Sequence, residues 1–378
     1  MSKKIINNQK IYLDYSATTP LSNNVKECVA GLLDEYGNPS SAYSIGKRVR
    51  KMVSESRHII ANFINTEDEN IFFTGSGSAS NTIGVSGYYR ANNPTVLFSP
   101  TCHKSILKCA SKIKKSHSLA VDKNGKIDMN DLKDWLAMSG KNILVVFEYA
   151  NSEIGTIQDV KRIIDLVHFY NGKVYVDCTG SISTIPLDVA RLDIDMCGFS
   201  AHKIGGLKGC GIFYKKPDIR VEPLVYGSQE GGICAGTENI IGIVAMGKAI
   251  ESFHYGGIDS KCRDYVYSYI TDQIPDCYLV GTLQDRLPHN LYICLRNIDG
   301  AALVSMMDLY GIQISTGSAC NNSGLEPSQV LTAIGMDKND LHSCIRMTFG
   351  GHETIEQLNY VCRTLHKCVD MLRREYAN

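Results

Sequence analysis

A cysteine set among glycines, serines and asparagines is the first chemically suggestive feature of this 378-residue chain. In STGSACNNSGLEPSQV, residues 315–330, Cys320 is ringed by Gly317, Ser318, Asn321, Asn322, Ser323 and Gly324, a composition that predicts a solvated, mobile loop. Free cysteines usually behave as small buried hydrophobes, so a thiol on such a stretch needs a chemical reason. A second feature is FSAHKIGGLKGCG, residues 199–211. Lys203 falls just past a buried strand and is followed by Gly205, Gly206, Gly209 and Gly211, where backbone can approach a ligand closely. Desolvation there would lower the lysine pKa, and a neutral amine can form a Schiff base. Taken alone, Lys203 reads more simply as a surface lysine at a strand end, but its neighbours Ser200 and His202 can both bind a phosphate.

Two further stretches complete a set. FFTGSGSASNT, residues 72–82, leads from a strand through a turn holding Gly77 and Ser78 into a helix, which aims N–H groups and a positive dipole end at an anion. It is neither G-x-G-x-x-G nor a P-loop, and such turns are common. VYVDCTGS, residues 174–181, puts Asp177 at the carboxyl end of a central strand, where open α/β sheets bind ligands. An aspartate there can pair with a protonated ring nitrogen or cap the next helix. Anion turn, strand-end acid and glycine-flanked lysine together describe a pyridoxal phosphate (PLP) site.

The elements that must position these residues alternate from about residue 71 onward. Residues 141–149 read as a buried strand. A helix follows over 158–172, with Val160, Ile163, Ile164 and Val167 at helical spacing and Gly172 closing it. Strands follow at 173–178, 193–200 and 209–216, an order that predicts a mostly parallel sheet covered by helices on both faces. A long helix is expected over 238–254. Beyond it the rhythm changes to strands at 277–281, 289–297, 311–316 and 344–349, with a closing helix over 354–376. The expected organisation is a large domain over 15–255, and a smaller α+β domain made of 1–14 and 256–378 that carries the cysteine loop at about 315–328.

Composition narrows the function classes. Lysine plus arginine and aspartate plus glutamate both number 39, so no net charge favours direct binding of nucleic acid or an anionic membrane. No apolar run is long enough to cross a bilayer, and MSKKIINNQK lacks the apolar stretch of a signal peptide. Fourteen cysteines without such a signal predict free thiols in a reducing cytoplasm. No C-x-x-C pair and no H-E-x-x-H occur, so no metal site is expected.

The motifs resemble the cysteine desulfurases, PLP enzymes of the class V aminotransferase type, over nearly the whole chain. The resemblance runs from YLDYSATTP (residues 12–20) through GNPSSAYSIGKRVR, NSEIGTIQ, FSAHKIGG, GTEN and STGSAC…LEPS to IRMTFGG (residues 345–351). It implies the type I fold of PLP-dependent transferases. It also implies that Lys203 carries the cofactor, that His103 stacks on its ring and moves protons, and that Asp177 holds the ring nitrogen. Asn151 would contact the ring hydroxyl or the substrate, and Gly77, Ser78, Ser200 and His202 the phosphate. Thr237 would reach the phosphate of a second subunit, which implies a homodimer. Arg346 would fork the carboxylate of L-cysteine, as suits a planar bidentate donor. Cys320 then has its reason: it would take the substrate's sulfur as a persulfide, leaving L-alanine, and carry it to an acceptor protein. A loop that visits two places must move. Iron–sulfur assembly, tRNA thiolation and sulfur modification of DNA are the destinations such enzymes serve.

Four positions depart from the family's pattern. Ala79 stands in place of a glutamate, Gly180 in place of a glutamine, Cys234 in place of an arginine within GSQEGGICAGTEN, and Gly351 in place of a second arginine. These departures suggest a dedicated sulfur-modification pathway. They also keep two alternatives open: a selenocysteine lyase or other PLP lyase, and a degenerate sulfur-relay scaffold.

Overall fold

The computed structural model describes residues 10–317 and 327–376. Its large sheet has seven strands in the order Ile71–Thr74, Gly211–Lys215, Met196–Ser200, Lys173–Asp177, Ile143–Glu148, Thr95–Phe98 and Ser116–Ser118. Every pairing is parallel except the two made by Gly211–Lys215. The parallel α/β sheet expected from the strand–helix rhythm is therefore present, with one reversed strand that periodicity does not reveal. A buried strand carries the same apolar run whichever way it points.

Local sequence accounts for the elements around the site. Ile143–Glu148 is buried at every position, as befits a strand covered on both faces. The helix Val160–Phe169 buries Val160, Ile163, Ile164 and Val167, the stripe its spacing predicts. The expected helix over 238–254 runs Ile240–Glu251, started by the Asn239 side chain accepting from Gly242 N. The expected strand over 311–316 is reduced to Ile312–Gln313.

A second core forms around the strands Cys344–Thr348, Asn290–Leu295 and Cys277–Leu279, all antiparallel, and the closing helix Ile355–Tyr376. The segment Ile11–Tyr12 pairs in parallel with Ile312–Gln313, and Ile11 and the following Leu13 join this core. The chain's early residues thus pack with its late ones. That route carries residues 14–20 across to the large sheet, where Thr19 N donates to His202 O.

Candidate active site

The carboxyl ends of the parallel strands open into a cavity of about 360 Å³. Asp177 ends its strand there, 4% exposed, with Oδ1 accepting from Thr179 N at 2.9 Å and Oδ2 from Asn81 Nδ2 at 2.8 Å. Glu148 ends the neighbouring strand in register with it. Burial raises the Glu148 pKa, and its Oε1 accepts from Thr101 Oγ1 while Oε2 has no partner among the described residues. Two carboxyl groups thus stand side by side, and the environment of Glu148 favours its protonated form.

Lys203 follows the strand Met196–Ser200 in a short turn, Ala201–Lys203. Its Nζ donates to Ser16 O and, at 3.0 Å, to Ala17 O. His202 beside it is pushed down to about 4 by burial and by Lys203 and Lys208. Ser200 Oγ accepts from Gly77 N at 2.9 Å, joining the lysine strand to the Gly/Ser turn. That turn opens the helix Gly77–Thr82, capped by Ser76 on Ala79 N.

His103 caps the helix Lys104–Ala110. Its ring is open to the cavity, yet the protein packed around it disfavours the imidazolium, with Lys203 and Lys104 adding repulsion and Asp177 opposing them. Burial lowers its pKa below the ordinary histidine value. Asn151 lies in the wall, but its amide is turned to protein: Nδ2 donates to Thr101 O at 2.9 Å, and Oδ1 accepts from Glu153 N and Ile154 N.

Arg346 comes from the other sheet. It is 3% exposed, and its strand Cys344–Thr348 delivers the guanidinium into the same cavity. The cavity wall therefore gathers Gly77, Ser78, His103, Asn151, Asp177, Ser200, His202, Lys203 and Arg346 from segments far apart in the chain. Thr237 is exposed and lies outside this wall. Cys320 lies outside the described residues, but Gly317 and Ser328, which flank its segment, both line the cavity.

Some wall residues carried no signal in the sequence. Thr179 Oγ1 is buried in the wall with no partner among the described residues. Asn81 and Glu148 in the wall, and Ser105 outside it, matter only through partners that folding supplies. Gly180 has a steric explanation: a Cβ there would come within 2.5 Å of Ala150 O. Any side chain at 180 would force that backbone apart.

The arrangement fits pyridoxal phosphate. A buried carboxylate suits its ring nitrogen, and a lysine amine suits its aldehyde. The hydroxyls of Ser78, Ser200 and the unpartnered Thr179, with the His202 ring, make a donor set for a phosphate. Among the described residues, no group of three or more potential ligands could hold a metal ion, and no helix is long and apolar enough to cross a membrane. The described cysteines are free thiols.

Comparison with known proteins agrees. The model of the family described as Aminotransferase class-V matches residues 11–361. Cysteine desulfurase IscS of Dictyoglomus turgidum is 36% identical over 380 residues, covering 97% of this chain and 96% of that protein. Cysteine desulfurase IscS of Methanosarcina thermophila is 34% identical, covering 97% and 93%. Among solved structures, the NifS-like protein from Rickettsia africae superposes with a TM-score of 0.88 at 27% identity, covering 96% of this chain and all of that one. The chain belongs to the class V aminotransferases, a family of PLP-dependent enzymes, and within it to the cysteine desulfurases.

Proposed function

We propose that the protein converts L-cysteine to L-alanine and passes the sulfur through Cys320 to an acceptor protein. The observation that carries this reading is the arrival of Arg346, from the smaller sheet, in the cavity that holds Lys203, His103 and Asp177. An amino acid bound there would have its carboxylate at the arginine and its amine toward the lysine end.

Pyridoxal phosphate, when bound, supplies a sink for the electron pair left at the substrate Cα. Asp177 would hold the ring nitrogen, and Ser78, Ser200 and His202 the phosphate. Lys203, held by the Ser16 and Ala17 carbonyls, takes the α-proton and returns one. His103 moves a proton near the substrate thiol. The Cys320 thiolate attacks the substrate sulfur, an S–S bond forms, and the C–S bond breaks. The carbon gains hydrogen as the sulfur is oxidised, so an enzyme thiol and cysteine give an enzyme persulfide and alanine with no outside oxidant.

Thr237 would serve the site of a second copy of the chain, which makes the functional unit a homodimer. The acceptor protein sets the destination of the sulfur, whether iron–sulfur assembly, tRNA thiolation or DNA modification. Intact mass of the reduced holoenzyme before and after L-cysteine tests the reading. The expected gain is one sulfur atom mapped to Cys320 and lost in Cys320→Ser. Alanine formation with no sulfur on Cys320 would overturn it in favour of a lyase.

A further inference from the structure

The hydrogen bonds behind His103 decide which of its ring nitrogens carries the proton. The Asn81 amide nitrogen donates to Asp177 Oδ2 at 2.8 Å. The Tyr175 hydroxyl agrees, donating to Asn81 Oδ1 at 2.6 Å. That tyrosine is itself locked, because its ring lies so close over Gly84 that a Cβ there would fall 2.1 Å from ring carbons. The same Asn81 nitrogen donates to Ser105 Oγ at 2.9 Å. Ser105 Oγ, which can accept and donate at once, lies 2.8 Å from His103 Nδ1. The Ser105 backbone N–H meets the same nitrogen at 3.2 Å, in the capping position. A nitrogen that accepts from a backbone N–H carries no hydrogen of its own, so the Ser105 hydroxyl is the donor in its contact with Nδ1.

We propose that Asn81 and Ser105 are positioning residues that hold His103 as the Nε2–H tautomer, tied through the Asn81 amide to Asp177. The inference rests on the role given to His103 above and extends it to a specific ring atom. Nε2 becomes the nitrogen that exchanges a proton with substrate, while Nδ1 is occupied by the protein. The charged groups facing the ring are Asp177 from the strand end, Lys203 from the turn beyond Ser200, and Lys104 from its own helix.

The test is two-bond ¹H–¹⁵N correlation of ¹⁵N-histidine-labelled protein, with cofactor bound and with it removed. The expected spectrum shows His103 as Nε2–H in both forms. Ser105→Ala should mix the tautomers and lower kcat about tenfold with KM little changed, and Ser105→Thr should restore both. An Nδ1–H pattern in the parent protein, or an unchanged tautomer in Ser105→Ala, would overturn the proposal. If the tautomer is as expected but His103→Ala keeps full turnover, the positioning claim stands and the proton-moving role of His103 falls.

Discussion

Arg346 is met by Asp14: Nη2 donates to Asp14 Oδ1 at 2.7 Å, while Nη1 donates to Ser152 O at 2.9 Å. Asp14 sits just after the early segment that pairs with Ile312–Gln313, and it bridges to Thr348 of the arginine's own strand. The guanidinium is therefore aimed before any substrate arrives. Its Nε has no partner among the described residues, and two of its five donor hydrogens account for the bonds just named.

A planar fork is hard to replace by a point charge. Arg346→Lys should raise KM for L-cysteine at least about tenfold while altering kcat less. Steady-state kinetics with retained cofactor absorbance checks this. An unchanged KM would mean that the substrate carboxylate binds elsewhere.

Removing the counter-charge should act on stability first. Asp14→Asn leaves a buried arginine without its carboxylate, a change that costs about 3 kcal/mol in comparable sites. Urea unfolding should show the loss. Part of it should return on adding L-alanine, whose carboxylate can take the vacated donor.

The Gly180 departure is structural, and reversing it should harm the protein. Gly180→Gln must push against Ala150 O, 2.5 Å from the new Cβ. The expected cost is about 1–3 kcal/mol, with weaker retention of cofactor. A variant as stable as the parent would show that the backbone at 150 and 180, just past the strand ends, can separate freely.

Acid should destabilise the fold through His289. This residue is fully buried and held down to about 3 by desolvation, with Arg346, Lys203 and Arg263 adding repulsion. Its ordinary value is 6.5, so between these values the unfolded chain binds a proton that the folded one does not. Stability is then intact above pH 6.5 and falls as pH drops toward 3, by up to about 1.4 kcal/mol per pH unit for one proton. In His289→Gln that slope should be shallower in pH-dependent urea unfolding. An identical slope would assign the acid sensitivity to other groups.

The candidate site residues that line the cavity were legible because each piece carries its own context. Lys203 sits after a strand and before glycines, Asp177 closes a β-branched run, and the Gly/Ser turn opens a helix. Strand–helix alternation likewise specified the parallel sheet, since the apolar spacing in residues 143–177 admits little else. Arg346 is different. Nothing near it marks a ligand, and only resemblance singled it out, because its significance comes from a strand in one core pointing into a cavity of the other.

The sequence by itself determined the elements that bear the candidate site residues, since propensity, periodicity and turn chemistry act over a few neighbouring residues. Only the tertiary structure decided the antiparallel turn of Gly211–Lys215, the side-by-side Glu148 and Asp177, the closure of position 180 by Ala150, and the path from Asp177 through Asn81 and Ser105 to His103. Those features depend on distances between residues tens of positions apart. Such distances exist only once packing has brought the strands together, and a hydrogen bond has a direction only when both of its partners are in place.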